Sequence, residues 1–120
     1  MVTRAPALDS GMLIALAEPN RLAIVELLRD GPLTVGAIAA SLGLRQPQAS
    51  KHLKILKDDK ILTVQAKANR RFYALRPEPF HDLDQWAGSF KEVMHERFDN
   101  LDGYLRDIQR TKRRRGHSRK

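Results

Sequence analysis

The chain has 120 residues, no cysteine, and 22 Lys and Arg against 14 Asp and Glu, for a formal net charge of +8. That length fits one domain with a modest core, and the lack of cysteine excludes thiolate metal ligands and thiol chemistry. The charge resembles a nucleic-acid signature, but residues 110–120, RTKRRRGHSRK, hold seven of the basic residues and no acidic one, which leaves 15 basic against 14 acidic in residues 1–109.

At the start of the chain Asp9 or Ser10 is placed to cap a first helix carrying Met12, Leu13 and Leu16. Glu18-Pro19 opens a second helix, whose buried side is Leu22, Ile24, Val25, Leu27 and Leu28, and Asp30-Gly31-Pro32 ends it. Thr34 to Leu56, TVGAIAASLGLRQPQASKHLKIL, reads as two short helices joined by a glycine turn. In the first, Val35, Ile38, Ala39 and Leu42 share one face, and Gly43 follows where a left-handed residue must close it. In the second, Ala49, Leu53 and Leu56 face the core, leaving Gln46, Gln48, Ser50, Lys51 and Lys54 on or beside the opposite face. Amides and hydroxyls there can read base edges in a major groove, and the ammonium groups can neutralise phosphates.

Ile61–Val64 and Phe72–Leu75 are β-branched and aromatic runs. Between them lies a polar stretch, Gln65–Arg71, with Ala68-Asn69 flanked by Lys67, Arg70 and Arg71, which reads as a hairpin with a basic tip. Helix, helix and hairpin come in the order of a winged helix, whose wing arginines reach a flanking minor groove or backbone. Arg45, Lys51, Lys54, Lys57, Lys67, Arg70 and Arg71 then form the local basic patch that a nearly neutral body needs, and binding should be steeply salt-dependent.

Pro77-Glu78-Pro79 separates the wing from a last helix of about 30 residues, roughly 45 Å long. Leu83, Trp86, Phe90, Met94, Phe98, Leu101, Leu105 and Ile108 recur along it every three or four residues, as in a helix that pairs with a partner copy. The expected dimer interface is Met12, Leu13 and Leu16 with Trp86, Phe90, Met94, Phe98, Leu101 and Leu105. The final like-charge run lacks apolar residues and is expected to be disordered. The expected domains are therefore residues 1–109, winged helix-turn-helix with its dimerisation helix, and 110–120, a basic tail. The fold class is mostly α with a small β-hairpin.

From about Leu8 to Ile108 the chain resembles the ArsR/SmtB family of bacterial winged-helix repressors. The motifs are ALAEPNRLAIVELL at Ala15–Leu28, GLRQPQASKHLKIL at Gly43–Leu56 and RRFYAL at Arg70–Leu75. The resemblance implies a symmetric dimer bound to an operator near a promoter, usually released by a signal, with Gln46, Gln48, Ser50, Lys51 and His52 facing DNA. Three positions depart from the family pattern. Arg45 stands where the family usually has a capping Ser and is read as a backbone phosphate contact at the helix start. Ala68-Asn69 replaces the glycine of the wing, and Lys60 stands where a glycine often closes the recognition helix.

A second family site pairs Asp-x-His with His-x-x-Glu or His-x-x-His on the last helix, across the dimer. In this register two ligand positions remain as Asp82 and His95, Asp84 replaces a third, and Phe98 replaces the fourth. Zinc normally takes four N, S or O donors, so no metal and no cofactor is expected, although His81 and Glu92 are near enough in sequence to be substitutes.

The pattern contains no nucleophile elbow, phosphate-binding glycine loop or complete metal triad, which weighs against an enzyme. The expected outer face has no aromatic platform for single-stranded RNA. A winged helix serving only protein contacts, or a repressor with a non-thiol zinc site, remains the alternative to a dimeric repressor on a palindromic operator. With no signal pattern or long apolar run, the expected partners are double-stranded DNA and a second copy, with no membrane, in the cytoplasm.

Overall fold

The structure is a computed structural model that describes residues 8–118. The described residues fall into two compact units, divided after Leu83. The first unit begins with α1, Ser10–Leu16, where the Asp9 carboxylate accepts from the Gly11 N–H at 3.1 Å. In α2, Pro19–Leu27, proline takes the first turn and the Glu18 carboxylate accepts from the Arg21 N–H at 2.9 Å. Arg21 ties the two helices, because its Nε donates to the Ala15 carbonyl near the end of α1. A 3₁₀ turn over Leu28–Asp30 ends at Gly31, whose φ of 142° favours glycine.

The next segment contains an element absent from the sequence reading. Leu33–Thr34 is a short strand, β1, before α3, Val35–Leu42, and α4, Gln46–Asp58. The hairpin strands β2, Leu62–Lys67, and β3, Arg70–Leu75, complete an antiparallel sheet of order β1-β3-β2. The register pairs Leu33 with Tyr73 on one edge and Leu62 with Leu75 on the other. One core joins all these elements: Met12 and Ala15 from α1, Ile24 and Val25 from α2, Ile38 from α3, Leu53 and Leu56 from α4, and Ile61 and Leu62 at the base of the hairpin.

Two helix ends are closed by a left-handed residue, one a glycine and the other not. After α3, Gly43 is left-handed and the Leu44 N–H reaches back to the Ala39 carbonyl at 2.9 Å. After α4 the same closure is made by Lys60, with φ 60°, and the Ile61 N–H donates to the Leu56 carbonyl at 2.9 Å. Burial of both Leu56 and Ile61 holds that turn in place. A left-handed lysine costs about 1–2 kcal/mol relative to a right-handed one, an amount that burying one such side chain offsets.

The last helix, α5, differs from expectation at both ends, running over Pro77–Ser118 for 42 residues. Pro77-Glu78-Pro79 is its first turn and not a separator, because a proline there removes an N–H that would have no partner within the helix anyway. Phe80 and Leu83 then pack on the core. At the other end the helix continues through residues expected to form a disordered tail, with Arg119 and Lys120 outside the described residues. Arg, Lys and Gln are good helix formers. Arg106 pairs with Asp102 at 3.0 Å and Arg110 with Asp107 at 3.9 Å along the helix surface. The compact units divide after Leu83, the last α5 residue packed on the core.

In the second unit Trp86 and Phe90 meet edge to face at 5.0 Å. Phe90, Val93, Met94, Phe98, Leu101, Tyr104, Leu105 and Ile108 are each 42–64% exposed. In α1 the assignment is divided. Met12 is 3% exposed and belongs to the core, which corrects its place in the expected interface, and Leu16 is half-buried against the same core. Leu13 is exposed, and so is Ile14, at 68%.

Candidate nucleic-acid interface

The site is built on α3 and α4. Thr34 caps α3 by accepting from the Ala37 N–H at 3.2 Å, and the left-handed Gly43 turns the chain sharply into α4. The inner stripe of α4, Ala49, Leu53 and Leu56, is completely buried. This fixes the rotation of the helix about its axis, so Gln46, Gln48, Ser50, Lys51 and Lys54 are all exposed, as the spacing predicts. Ile55 is exposed beside them, an apolar position that the sequence reading did not single out.

The helix start is solved without a hydroxyl cap. Arg45 is extended, with φ −74° and ψ 148°, and its guanidinium has no acceptor to offer. The reciprocal half of a capping box does form: the Gln48 Oε1 accepts from the Arg45 N–H at 3.1 Å. The remaining free N–H groups at the start of α4, with the exposed Arg45 side chain, make an anion-favouring end. Gln46 lies close to α3, where a Cβ added to Gly36 would come within 3.3 Å of its Nε2.

His52 requires a correction. It is half-buried with its Nδ1 turned to Glu18, 3.6 Å from Oε2, and that nitrogen has no hydrogen-bond partner. The side chain thus faces the start of α2 and is not an outward contact. Its position one residue before the buried Leu53 places it at the edge of the inner stripe. The Glu18 carboxyl is pushed up by burial, but the Arg21 and Asn20 N–H groups, with the charges of His52 and Arg21, outweigh this and hold it below its ordinary value.

The hairpin is half-buried or buried at its base and exposed from Gln65 to Arg71. Ala68 and Asn69 form the tight turn, both left-handed at φ 51° and 65°, the conformation that matches the strand twist. Lys67 faces Arg70 across the strands and Ala66 faces Arg71. Like charges directly opposed are unfavourable, and an anion near the tip would relieve them. Among the described residues, Arg45, Lys51, Lys54, Lys67, Arg70 and Arg71 take part in no ion pair. The basic patch is available to an external partner.

The zinc-like positions do not form a comparable centre. Asp82, Asp84 and His95 are exposed, and among the described residues no group of three His, Asp or Glu side chains is placed to hold a metal ion. Phe98 offers no donor at the fourth position.

A family model described as a helix-turn-helix domain matches residues 16–65, the segment that carries α2 to the start of β2. The chain is 44% identical over 63 residues to the HTH-type transcriptional regulator Rv2034 of Mycobacterium tuberculosis, covering 52% of this chain and 59% of that protein, less than two thirds of its length. It is 32% identical over 76 residues to the transcriptional repressor SdpR of Bacillus subtilis, covering 63% of this chain and 84% of that one. A crystal structure of an ArsR family transcriptional regulator superposes with a TM-score of 0.63 at 29% identity, over 72% of this chain and 89% of that chain. The homodimeric winged helix-turn-helix DNA-binding domain Mb0332 of Mycobacterium bovis superposes with a TM-score of 0.58 at 25% identity, over 72% and 82%. With its helix-turn-helix and hairpin in the same arrangement, and a relative matched over most of its length, the chain belongs to the ArsR/SmtB family of winged helix-turn-helix transcriptional regulators.

Proposed function

We propose that this chain is a homodimeric repressor that binds a palindromic operator, with an autorepressor on its own promoter as the simplest case. The observation that carries the reading is α4 itself: one face completely buried, the other exposing two amides, a hydroxyl and two lysines without ion-pair partners among the described residues. In a major groove Gln46, Gln48 and Ser50 supply hydrogen bonds to base edges, while Lys51, Lys54 and Arg45 neutralise phosphates. Lys67, Arg70 and Arg71 contact the flanks, and His52 supports α4 from within. The exposed apolar stripe of α5, with Leu13 and Ile14 of α1, supplies the surface between two copies, in line with the homodimeric Mb0332 domain. Two recognition helices related by a two-fold axis read half-sites about one DNA turn apart.

The test is an anisotropy titration at near-physiological salt on the duplex upstream of the protein's own gene, with excess unrelated competitor. Competitor-resistant binding that is lost in Lys51→Ala is the expected result. Specific binding unchanged by that substitution would refute the assignment of α4 as the reading helix.

A further inference from the structure

We infer that the basic run of residues 110–120, helical as far as Ser118, is a second DNA contact, which grips the phosphate backbone of a duplex without reading its sequence. This rests on the DNA-binding reading above and extends it to a segment outside the winged helix.

Charge is segregated sharply along α5. Asp102 and Asp107 pair with Arg106 and Arg110, and after Asp107 the sequence has no further Asp or Glu. Beyond Arg110, residues 111–120 hold six basic residues and no Asp or Glu. A helix C-terminus favours positive charge, but its macrodipole amounts to only about half a charge. Seven basic residues in residues 110–120 far exceed that need.

The charge density suits a phosphate backbone. Lys112, Arg113, Arg114 and Arg115 are consecutive in a segment that is helical to Ser118. At helical rise four such residues span about 4.5 Å along the axis, a linear charge density comparable to the one charge per about 1.7 Å of duplex DNA. Residues 109–120 also contain no large apolar or aromatic side chain. The segment has no large apolar side chain to insert into a bilayer interface. What it offers is positive charge and hydrogen-bond donors, which is what backbone phosphates accept. The need for such a contact is set by the rest of the chain, where residues 1–109 carry only 15 basic residues against 14 acidic.

The test compares the full chain with Arg113→Gln/Arg114→Gln/Arg115→Gln, which keeps helix-forming residues and the whole length. Affinity is measured for the upstream duplex and for an unrelated duplex from about 50 to 300 mM salt. The expected result is a loss of about tenfold or more on both duplexes at low salt, by a similar factor, with the slope of log K against log salt shallower by about 3 or more. The preference for the upstream duplex should be unchanged. An unaltered slope and affinity on both duplexes would overturn the inference. So would unchanged DNA binding combined with lost binding to vesicles of anionic lipid or to polyglutamate, which would assign the segment to another partner. A chain that shows no preference for any duplex, yet has a slope that depends on these arginines, would sink the operator reading and leave this inference standing.

Discussion

At Gln48 the carboxamide oxygen accepts the Arg45 N–H at 3.1 Å while the side chain remains exposed, so one residue both starts α4 and presents amide donors outward. Gln48→Glu separates these roles. A glutamate at this position keeps the acceptor and gains favourable interaction with the helix N-terminus, so the thermal midpoint should hold or rise. Operator affinity should nevertheless drop by about 1–3 kcal/mol, the worth of one base-edge contact, with added repulsion from phosphates. A variant of undiminished affinity would remove Gln48 from the reading surface. Glu18 is tested through acid stability. Its folded carboxyl lies below the ordinary value, because the N–H groups and positive charges around it outweigh its burial. The unfolded state therefore takes up the proton first as pH falls. The stabilisation is full at neutral pH, above the unfolded value, and disappears as pH falls through the folded one. In Glu18→Gln the difference in melting temperature between neutral and acid pH should narrow, whereas a parallel profile would mean that this carboxylate contributes nothing to it.

Among the elements, α3 and α4 were legible because each buries one stripe completely and exposes the other, so spacing alone assigns the faces. The hairpin was legible from two β-branched runs around Ala68-Asn69, and its turn is the left-handed pair that the intervening residues permit. Where the reading missed, the local signal was ambiguous for a physical reason. Proline both stops and starts helices, and Pro77 and Pro79 start one. β1 is two residues long, too short for any periodicity, and exists through its pairing with β3. In α1 three consecutive apolar residues, Met12, Leu13 and Ile14, could not be apportioned between core and surface before the direction of α2 was known; only Met12 goes inside. His52 was assigned outward by motif position, but a residue at the margin of a buried stripe can turn either way, and Glu18 lies on the inner side. The charge run after Gln109 carries two opposed signals, like charge against helix and strong helix propensity for it, and the helix extends as far as Ser118.

For the whole molecule, the strongest constraint is the apolar stripe on α5. Eight large side chains from Phe90 to Ile108 are each 42–64% exposed, and large exposed apolar patches mark interaction surfaces. In a two-fold interface each residue recurs on both sides, so a single charged substitution introduces two unpaired charges into the same apolar seam. Phe98 is 60% exposed and lies outside the core of residues 8–83, so Phe98→Glu can disrupt pairing while that core stays intact. In sedimentation the variant should run as a monomer at concentrations where the unaltered chain is a dimer, with its circular dichroism showing the winged-helix unit still folded. Operator affinity should then fall by about 100-fold or more, because the second half-site no longer gains from the first being bound. Binding to an isolated half-site should change little. A Phe98→Glu chain that remains dimeric and binds the operator normally would place the interface elsewhere, on Leu13 and Ile14 of α1 or on the exposed Leu22 of α2. A chain that becomes monomeric without losing operator affinity would mean that a single recognition helix and wing suffice, and the operator would not need to be palindromic.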